Sequence, residues 1–253
     1  MKPALALGRD LLDFLLPAGC VACGTWIPSR AAPGMVCATC RMRLPRPPWP
    51  RCSRCHHPVA TGRTTEDGCR ECREWPGELA HARYAFVLAP PADTLVHALK
   101  YQGWEALAAE MAGAMAELRL PLEDDAAETP WVVPVPTTPE RLRERGYNQA
   151  ERLARHYAEH RGWPWLDALE RTRGGATQVS LPPSERRANV RGAFSLSEPG
   201  EGGLPGRRIV LVDDVLTTGS TAAAAARTLA GAGIRDVTLV TFARALPLRG
   251  PSP

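Results

Sequence analysis

Eight cysteines occupy the first 72 residues of this 253-residue chain, and none follows. They form four C-x-x-C pairs: Cys20 and Cys23, Cys37 and Cys40, Cys52 and Cys55, Cys69 and Cys72. The second four repeat the first four at a constant offset of 32 residues, with thirteen residues between the pairs of each copy. A fixed period of this kind marks an internal duplication. A C-x-x-C turn aims two sulfurs at one point, and two such turns complete a tetrahedral zinc site of four thiolates. The spacing therefore predicts two structural Zn2+ ions. The simplest partition is sequential, with Cys20, Cys23, Cys37 and Cys40 on one ion and Cys52, Cys55, Cys69 and Cys72 on the other. A crossed arrangement satisfies the same spacing. A disulfide framework needs an oxidising compartment, for which the sequence gives little support. A redox dithiol needs only one pair. His56 and His57 follow Cys55 and offer alternative ligands, although four thiols per site leave them as surface histidines. Ribbons this small build little core, so metal binding must supply most of their folding free energy.

The segment before the ribbons contains "LLDFLLPAGC", which looks like the end of a lipoprotein signal. Arg9, Asp10 and Asp13 interrupt the apolar stretch that a secretory peptide requires. Leu7, Leu11, Leu12 and Leu15 instead recur at helical spacing, which predicts a short amphipathic helix. No apolar run approaches the ~20 residues of a membrane span, and a cytoplasmic protein is expected. "RLPRPPWPR" (43–51) reads as a stiff connector between the two ribbons. The net charge of +4 is mild, and it is carried by arginine, since lysine occurs only at Lys2 and Lys100. That balance falls short of the usual nucleic-acid footprint. Zinc ribbons elsewhere bind nucleic acid, bind proteins or only brace a fold, so their presence does not choose among these roles.

Beyond residue 80 apolar runs alternate with helical ones. Strands are expected at 83–89, 131–136, 208–214 and 236–243, and helices at 95–100, 105–118, 148–160 and from 221 to Gly231 or Gly233. An arginine-rich loop should follow "VPVP" (133–136), and 171–206 should be loop-rich. Strand, helix and strand in that order form a right-handed parallel unit. The fold class expected is α/β, a parallel sheet flanked by helices behind the cysteine-rich module. The divisions are 1–76 for the helix and double ribbon, 80–247 for the α/β domain, and 248–253 for a disordered tail.

"RIVLVDDVLTTGST" (208–221) carries the chemistry. Ile209 to Val212 suit a central parallel strand apolar on both faces. In open α/β sheets ligands bind in the crevice beyond the carboxyl ends of the strands, where Asp213 and Asp214 are expected. Two adjacent carboxylates repel unless something donates to them, and the vicinal hydroxyls of a sugar do so. Thr217, Thr218, Gly219, Ser220 and Thr221 then lead into a helix N-terminus, whose N–H groups, hydroxyls and dipole cradle a phosphate. Diol and phosphate together describe a ribose 5-phosphate. A Walker motif fails because neither lysine follows a glycine in G-x-x-x-x-G-K-[ST], and the G-x-G-x-x-G fingerprint is absent.

This segment resembles the phosphoribosyl-pyrophosphate (PRPP) signature of type I phosphoribosyltransferases. With "HALKYQG" (97–103), "RGYNQAERLA" (145–154) and "ATQVSLPPSERRANVRGAF" (176–194), nearly the whole chain resembles the ComF/GntX-type family. These are phosphoribosyltransferase-like bacterial proteins with an N-terminal cysteine module, associated with competence for DNA uptake. The resemblance implies that Asp213 and Asp214 hold the ribose hydroxyls and that Thr217 to Thr221 wrap the 5-phosphate. By position in the fold it makes Arg141, Arg143, Arg145 and Gly146 candidates for the pyrophosphate, since guanidinium matches phosphate bidentately. Pairing of these arginines with Glu140 and Glu144 on a solvated helix start is the competing reading. Gln178, Arg186, Arg187, Asn189 and Arg191 fall where the fold carries a closing loop. Lys100 and Tyr101 follow a helix and stand within reach of a phosphate, or at the surface.

Two functions are implied. One is an enzyme that displaces pyrophosphate at ribose C1, with Mg2+ screening the leaving group, in DNA uptake or nucleotide metabolism. The other is a PRPP or nucleotide sensor whose zinc module engages single-stranded DNA or a protein of competence or DNA processing. No acceptor, base pocket or general base is legible.

Overall fold

The computed structural model describes residues 19–27, 34–60, 68–124, 128–172, 192–204, 206 and 208–246. The expected N-terminal helix and the 248–253 tail lie outside these residues. So do Gln178, Arg186, Arg187, Asn189 and Arg191.

Four strands make the central sheet: β1 (Leu79–Val87), β2 (Trp131–Pro134), β5 (Arg208–Leu216) and β6 (Asp236–Arg244). Their order is β1-β6-β5-β2, and every pairing is parallel. Two short strands, β3 (Leu169–Arg171) and β4 (Phe194–Leu196), form a separate antiparallel pair. The helices are α1 (Ala38–Arg43), α2 (Ala92–Tyr101), α3 (Leu107–Ala116), α4 (Pro139–Arg145), α5 (Gln149–Arg161), α6 (Glu198–Glu201) and α7 (Ser220–Gly231).

Strand periodicity sorts the core into two layers. Val210, Val212, Val240 and Phe242 face α2, α3 and α5, against Leu95, Leu99, Met111, Met115, Leu153 and Tyr157. Ile209, Leu211, Val237 and Leu239 face the other way, onto Ala222 to Ala226 and Leu229 of α7. Five successive alanines extend no further than Cβ, so α7 lies close to the sheet. The two ribbons divide between these layers. Cys20, Ile27, Val36 and Cys40 join the first cluster, and Cys52, Cys55, Cys72 and Trp75 join the second.

The proline-rich connector does more than link the ribbons. β1 is an edge strand, and its Val87 N–H donates to Pro45 O (2.7 Å) while Ala82 N–H donates to Arg54 O (2.9 Å). An unpaired sheet edge is a template for unwanted pairing, and here the connector and second ribbon cover it. The guanidinium of Arg54 gathers the carbonyls of Cys72 (3.0 Å), Pro76 (2.8 Å) and Leu79 (3.0 Å), fastening the end of the second ribbon to the start of β1.

Several boundaries differ from expectation. β1 starts four residues earlier, at Leu79, where it enters register with Val237. The loop expected after "VPVP" is the helix α4. Its signals are local: Thr138 caps it by accepting from Arg141 N–H, Pro139 occupies the first turn, and Gly146 closes it at φ 81°. β3, β4 and α6 fall at or within the segment read as loop. β5 also runs two residues past its expected end, to Leu216. Asp213, Val215 and Leu216 stay paired with Thr241, Ala243 and Arg244 of β6, so the strand continues beyond its twin carboxylates.

Candidate functional site

β5 has two neighbours of unequal length. On one side β6 accompanies it to Leu216, whereas on the other β2 pairs only as far as Pro134 opposite Val212. Past that point the β2 chain leaves as Val135, Pro136 and Thr137 before α4 begins. Departure of one neighbour while the other continues opens a crevice alongside Asp213.

A cavity of about 420 Å³ occupies this crevice. Asp213, Asp214, Thr217 and Thr221 line it from the β5–α7 turn, Lys100 and Tyr101 from the end of α2, and Arg141 from α4. Further polar residues join them that the sequence did not single out: Asp93 and His97 on α2, Thr137 before α4, Gln149 at the start of α5, and Arg171 on β3. Arg171 has no signal in sequence spacing; it reaches the cavity from β3, whose pairing with β4 places it there. His97 was in view inside "HALKYQG", one helical turn before Tyr101, with the two rings 5.1 Å apart.

The charges in the cavity are unequal in environment. Asp214 is buried, and Lys100 Nζ stands 2.8 Å from its Oδ2. Asp213 accepts a hydrogen bond from the Asp214 N–H (2.8 Å). Burial, and then the charge of Asp214, push the Asp213 carboxyl up to about 7, against the pull of that hydrogen bond and of Lys100. Burial and the neighbouring Arg141 lower Arg171, and Asp213 opposes them. Two crowded acids facing Lys100, Arg141 and Arg171 form a site suited to a ligand carrying both hydroxyl donors and anionic oxygens.

The remaining sequence candidates fall in distinct places. Arg145 is not in the cavity wall. It donates to Gln149 Oε1 (2.8 Å) and lies 4.9 Å from the Tyr101 ring centre, behind two residues that are. Arg143 points away and pairs with Glu140 at 3.7 Å. Gly146 ends α4. Thr218 and Ser220 join hydroxyls at 2.8 Å beside Gly219, which caps the start of α7 at φ 82°.

The cysteines form two separate groups, Cys20, Cys23, Cys37 and Cys40, and Cys52, Cys55, Cys69 and Cys72. The ligand sets are sequential, and the crossed arrangement is excluded. Sulfur separations include 3.8 Å for Cys23–Cys37, 3.8 Å for Cys52–Cys72 and 3.6 Å for Cys55–Cys69. No disulfide has that length, while sulfurs tetrahedrally placed ~2.3 Å from one ion stand about 3.8 Å apart. Both groups thus fit structural zinc. His56 and His57 belong to neither. Hydrogen bonds from Thr25 lower Cys23 to about 6, and hydrogen bonding from Cys72, aided by Arg244, lowers Cys55 to about 4. Burial pushes Cys40 up, and Cys72 is pushed up by its bond to Cys55 and by burial.

Comparison with known proteins gives this arrangement a class. Residues 11–74 match the double zinc ribbon domain, and residues 148–252 match the phosphoribosyl transferase domain. The chain is therefore a double zinc ribbon joined to a phosphoribosyltransferase-type α/β domain. It is 32% identical over 232 residues to the DNA utilization protein YhgH of Escherichia coli K12, covering 85% of this chain and 98% of that one. Competence protein F of Haemophilus influenzae is 36% identical over 120 residues, 45% of this chain and 50% of that one. Among solved structures, the allosteric regulatory enzyme of purine biosynthesis aligns over 53% of this chain and 25% of its own, with 27% identity and a TM-score of 0.33. The chain belongs to the ComF family.

Two outcomes follow from this geometry. Cys23 is exposed and Cys37 half-buried, whereas Cys52, Cys55 and Cys72 are buried. The chain should carry two zinc ions, and excess chelator should remove them in two phases, the first-ribbon ion leaving before the second, as followed with a colorimetric zinc indicator. For Asp213 the sign is set by its raised carboxyl. Between about pH 4, where an unfolded aspartate ionises, and about pH 7 the folded state holds a proton that the unfolded state has lost, so stability falls as pH rises. Asp213→Asn should therefore melt at higher temperature than the unmodified chain at pH 8. The gap should close towards pH 4, as read by thermal unfolding across that range.

Proposed function

We propose that this protein binds PRPP in the crevice beside Asp213 and, with Mg2+, transfers its phosphoribosyl group with loss of pyrophosphate. The observation that carries the reading is one cavity lined together by Asp213, Asp214, Thr217 and Thr221 on one side and by Lys100, Arg141 and Arg171 on the other. Its volume of about 420 Å³ falls in the range of small-molecule sites. In this reading Asp213 and Asp214 accept from the ribose 2- and 3-hydroxyls. The turn from Thr217 through Thr218, Gly219 and Ser220 to Thr221 takes the 5-phosphate at the N-terminus of α7. Arg141, Arg171 and Lys100 face the pyrophosphate, with Arg145 and Gly146 shaping the end of α4 behind them. A Mg2+ ion bound here would be held by a carboxylate and by the ligand's phosphates, and would supply positive charge against the departing pyrophosphate. Burial and Asp214 raise the Asp213 carboxyl to about 7, and a hydroxyl or cation arriving there would favour its ionised form.

The names of the relatives, a DNA utilization protein and a competence protein, support a place for this activity in the handling of imported DNA. A second reading, single-strand binding by the ribbon module, is favoured by its surface. Trp49 is 73% exposed, with the Arg51 guanidinium 4.2 Å from its ring centre, and Trp26 is 59% exposed. Exposed aromatic rings beside arginines are what unpaired bases stack upon.

Titration calorimetry with PRPP, with and without Mg2+, tests the first reading. One ligand per chain should bind, and Asp213→Asn with Asp214→Asn together should abolish it; unchanged affinity in the double variant sinks the assignment. Release of labelled pyrophosphate with candidate acceptors distinguishes transfer from binding alone. For the second reading, affinity for an oligothymidine strand should fall as salt rises and should drop roughly three- to tenfold on Trp49→Ala. No loss in that variant removes the ribbon surface from consideration.

A further inference from the structure

The second cysteine quartet and the hydroxyl-rich turn of residues 217–221 are far apart in the chain, yet one side chain joins them. Trp75 lies three residues after Cys72, and its backbone N–H donates to Cys72 O (3.0 Å). Its indole is nearly buried, and Nε1–H donates to Thr218 O at 3.1 Å. The ring also stands close against the next residue. A Cβ on Gly219 would stand 2.6 Å from the indole Cζ2, closer than side chains tolerate, so glycine is required there by the ring as well as by its φ of 82°.

Arg54, between Cys52 and Cys55, braces the same tryptophan. Its guanidinium lies 5.9 Å from the Trp75 ring centre and donates to Cys72 O and Pro76 O on either side of it. Both C-x-x-C turns of the second quartet thus fix the indole. In a trans peptide the C=O and N–H point in opposite directions. By holding Thr218 O, Trp75 therefore turns the Gly219 N–H away from the ribbon. Among the described residues the first quartet has no such link. It docks elsewhere, on Glu110 of α3, through Arg41 Nε (2.7 Å) and Met35 N–H (2.9 Å).

We propose that Trp75 is a positioning residue through which the second metal centre sets the phosphate-binding turn, so that metal retention by Cys52, Cys55, Cys69 and Cys72 and binding of a sugar phosphate at Thr217–Thr221 are linked. The inference rests on the proposed reading of the turn and adds a regulation to it. Linkage is reciprocal: whatever metal loading does for ligand affinity, the ligand does for metal affinity.

The test uses the full-length, zinc-loaded protein and ribose 5-phosphate, whose single phosphate competes little with a chelator. Saturating ribose 5-phosphate should slow release of the second-ribbon zinc about fivefold, the lower end of typical site-to-site coupling. Release from the first ribbon should not change, which makes it an internal control. Trp75→Phe retains an aromatic ring but lacks the N–H. It should keep two zinc ions, bind ribose 5-phosphate about fivefold more weakly, the loss typical of one hydrogen bond, and show no ligand protection of its second zinc. If that variant fails to load two ions, the release experiment on the unmodified chain decides alone. Ribose 5-phosphate binding with no effect on either zinc overturns the link and leaves the binding site standing. Absence of any binding by ribose 5-phosphate or PRPP overturns both.

Discussion

The site depends on β2 leaving β5 one step before the acids. Pro134 pairs with Val212, and Val135 still donates to Val212 O (2.9 Å), but among the described residues no strand continues on that side alongside Asp213. β6 meanwhile holds β5 extended through Leu216. A strand anchored on one edge and released on the other presents its side chains to a gap without losing its own geometry. Rigid elements position functional groups more closely than loops do, and here the carboxylates gain that rigidity from β6.

The cost of this placement is electrostatic. Asp213 and Asp214 are adjacent carboxyls within an apolar strand, Asp214 is buried, and Lys100 pairs directly with Asp214, at 2.8 Å. Asp213 stays close to its titration midpoint as a result. The crevice therefore holds an acid whose charge adjusts to its occupant. Perturbed groups of this kind gather where function is built, and Arg171, lowered by burial and by Arg141, is another in the same cavity.

Much of this was legible in the chain because it is local. The cysteine period fixed two metal quartets, and the apolar run ending in two acids and a hydroxyl-rich turn located the crevice. The caps of α4 were equally local, Thr138, Pro139 and Gly146, but the arginines between them drew attention to charge and away from helix signals. Arg171 could not be read, since the β3–β4 pairing places it and leaves no periodic trace; Gln149 stood in view inside "RGYNQAERLA", but its place in the cavity comes from the entry of α5. Trp75 is the extreme case, with 143 positions between it and Thr218. Nothing in a tryptophan after a zinc knuckle announces a distant carbonyl.

The covering of β1 has a consequence for dissecting the molecule. Two of its N–H groups find their acceptors in Pro45 and Arg54, residues of the connector and the second ribbon. Cutting the chain at residue 76 to isolate the α/β half would strip those acceptors away and leave a bare, largely apolar border strand in water. Such a fragment would carry its own invitation to self-association, and its poor behaviour would say nothing about whether the crevice works.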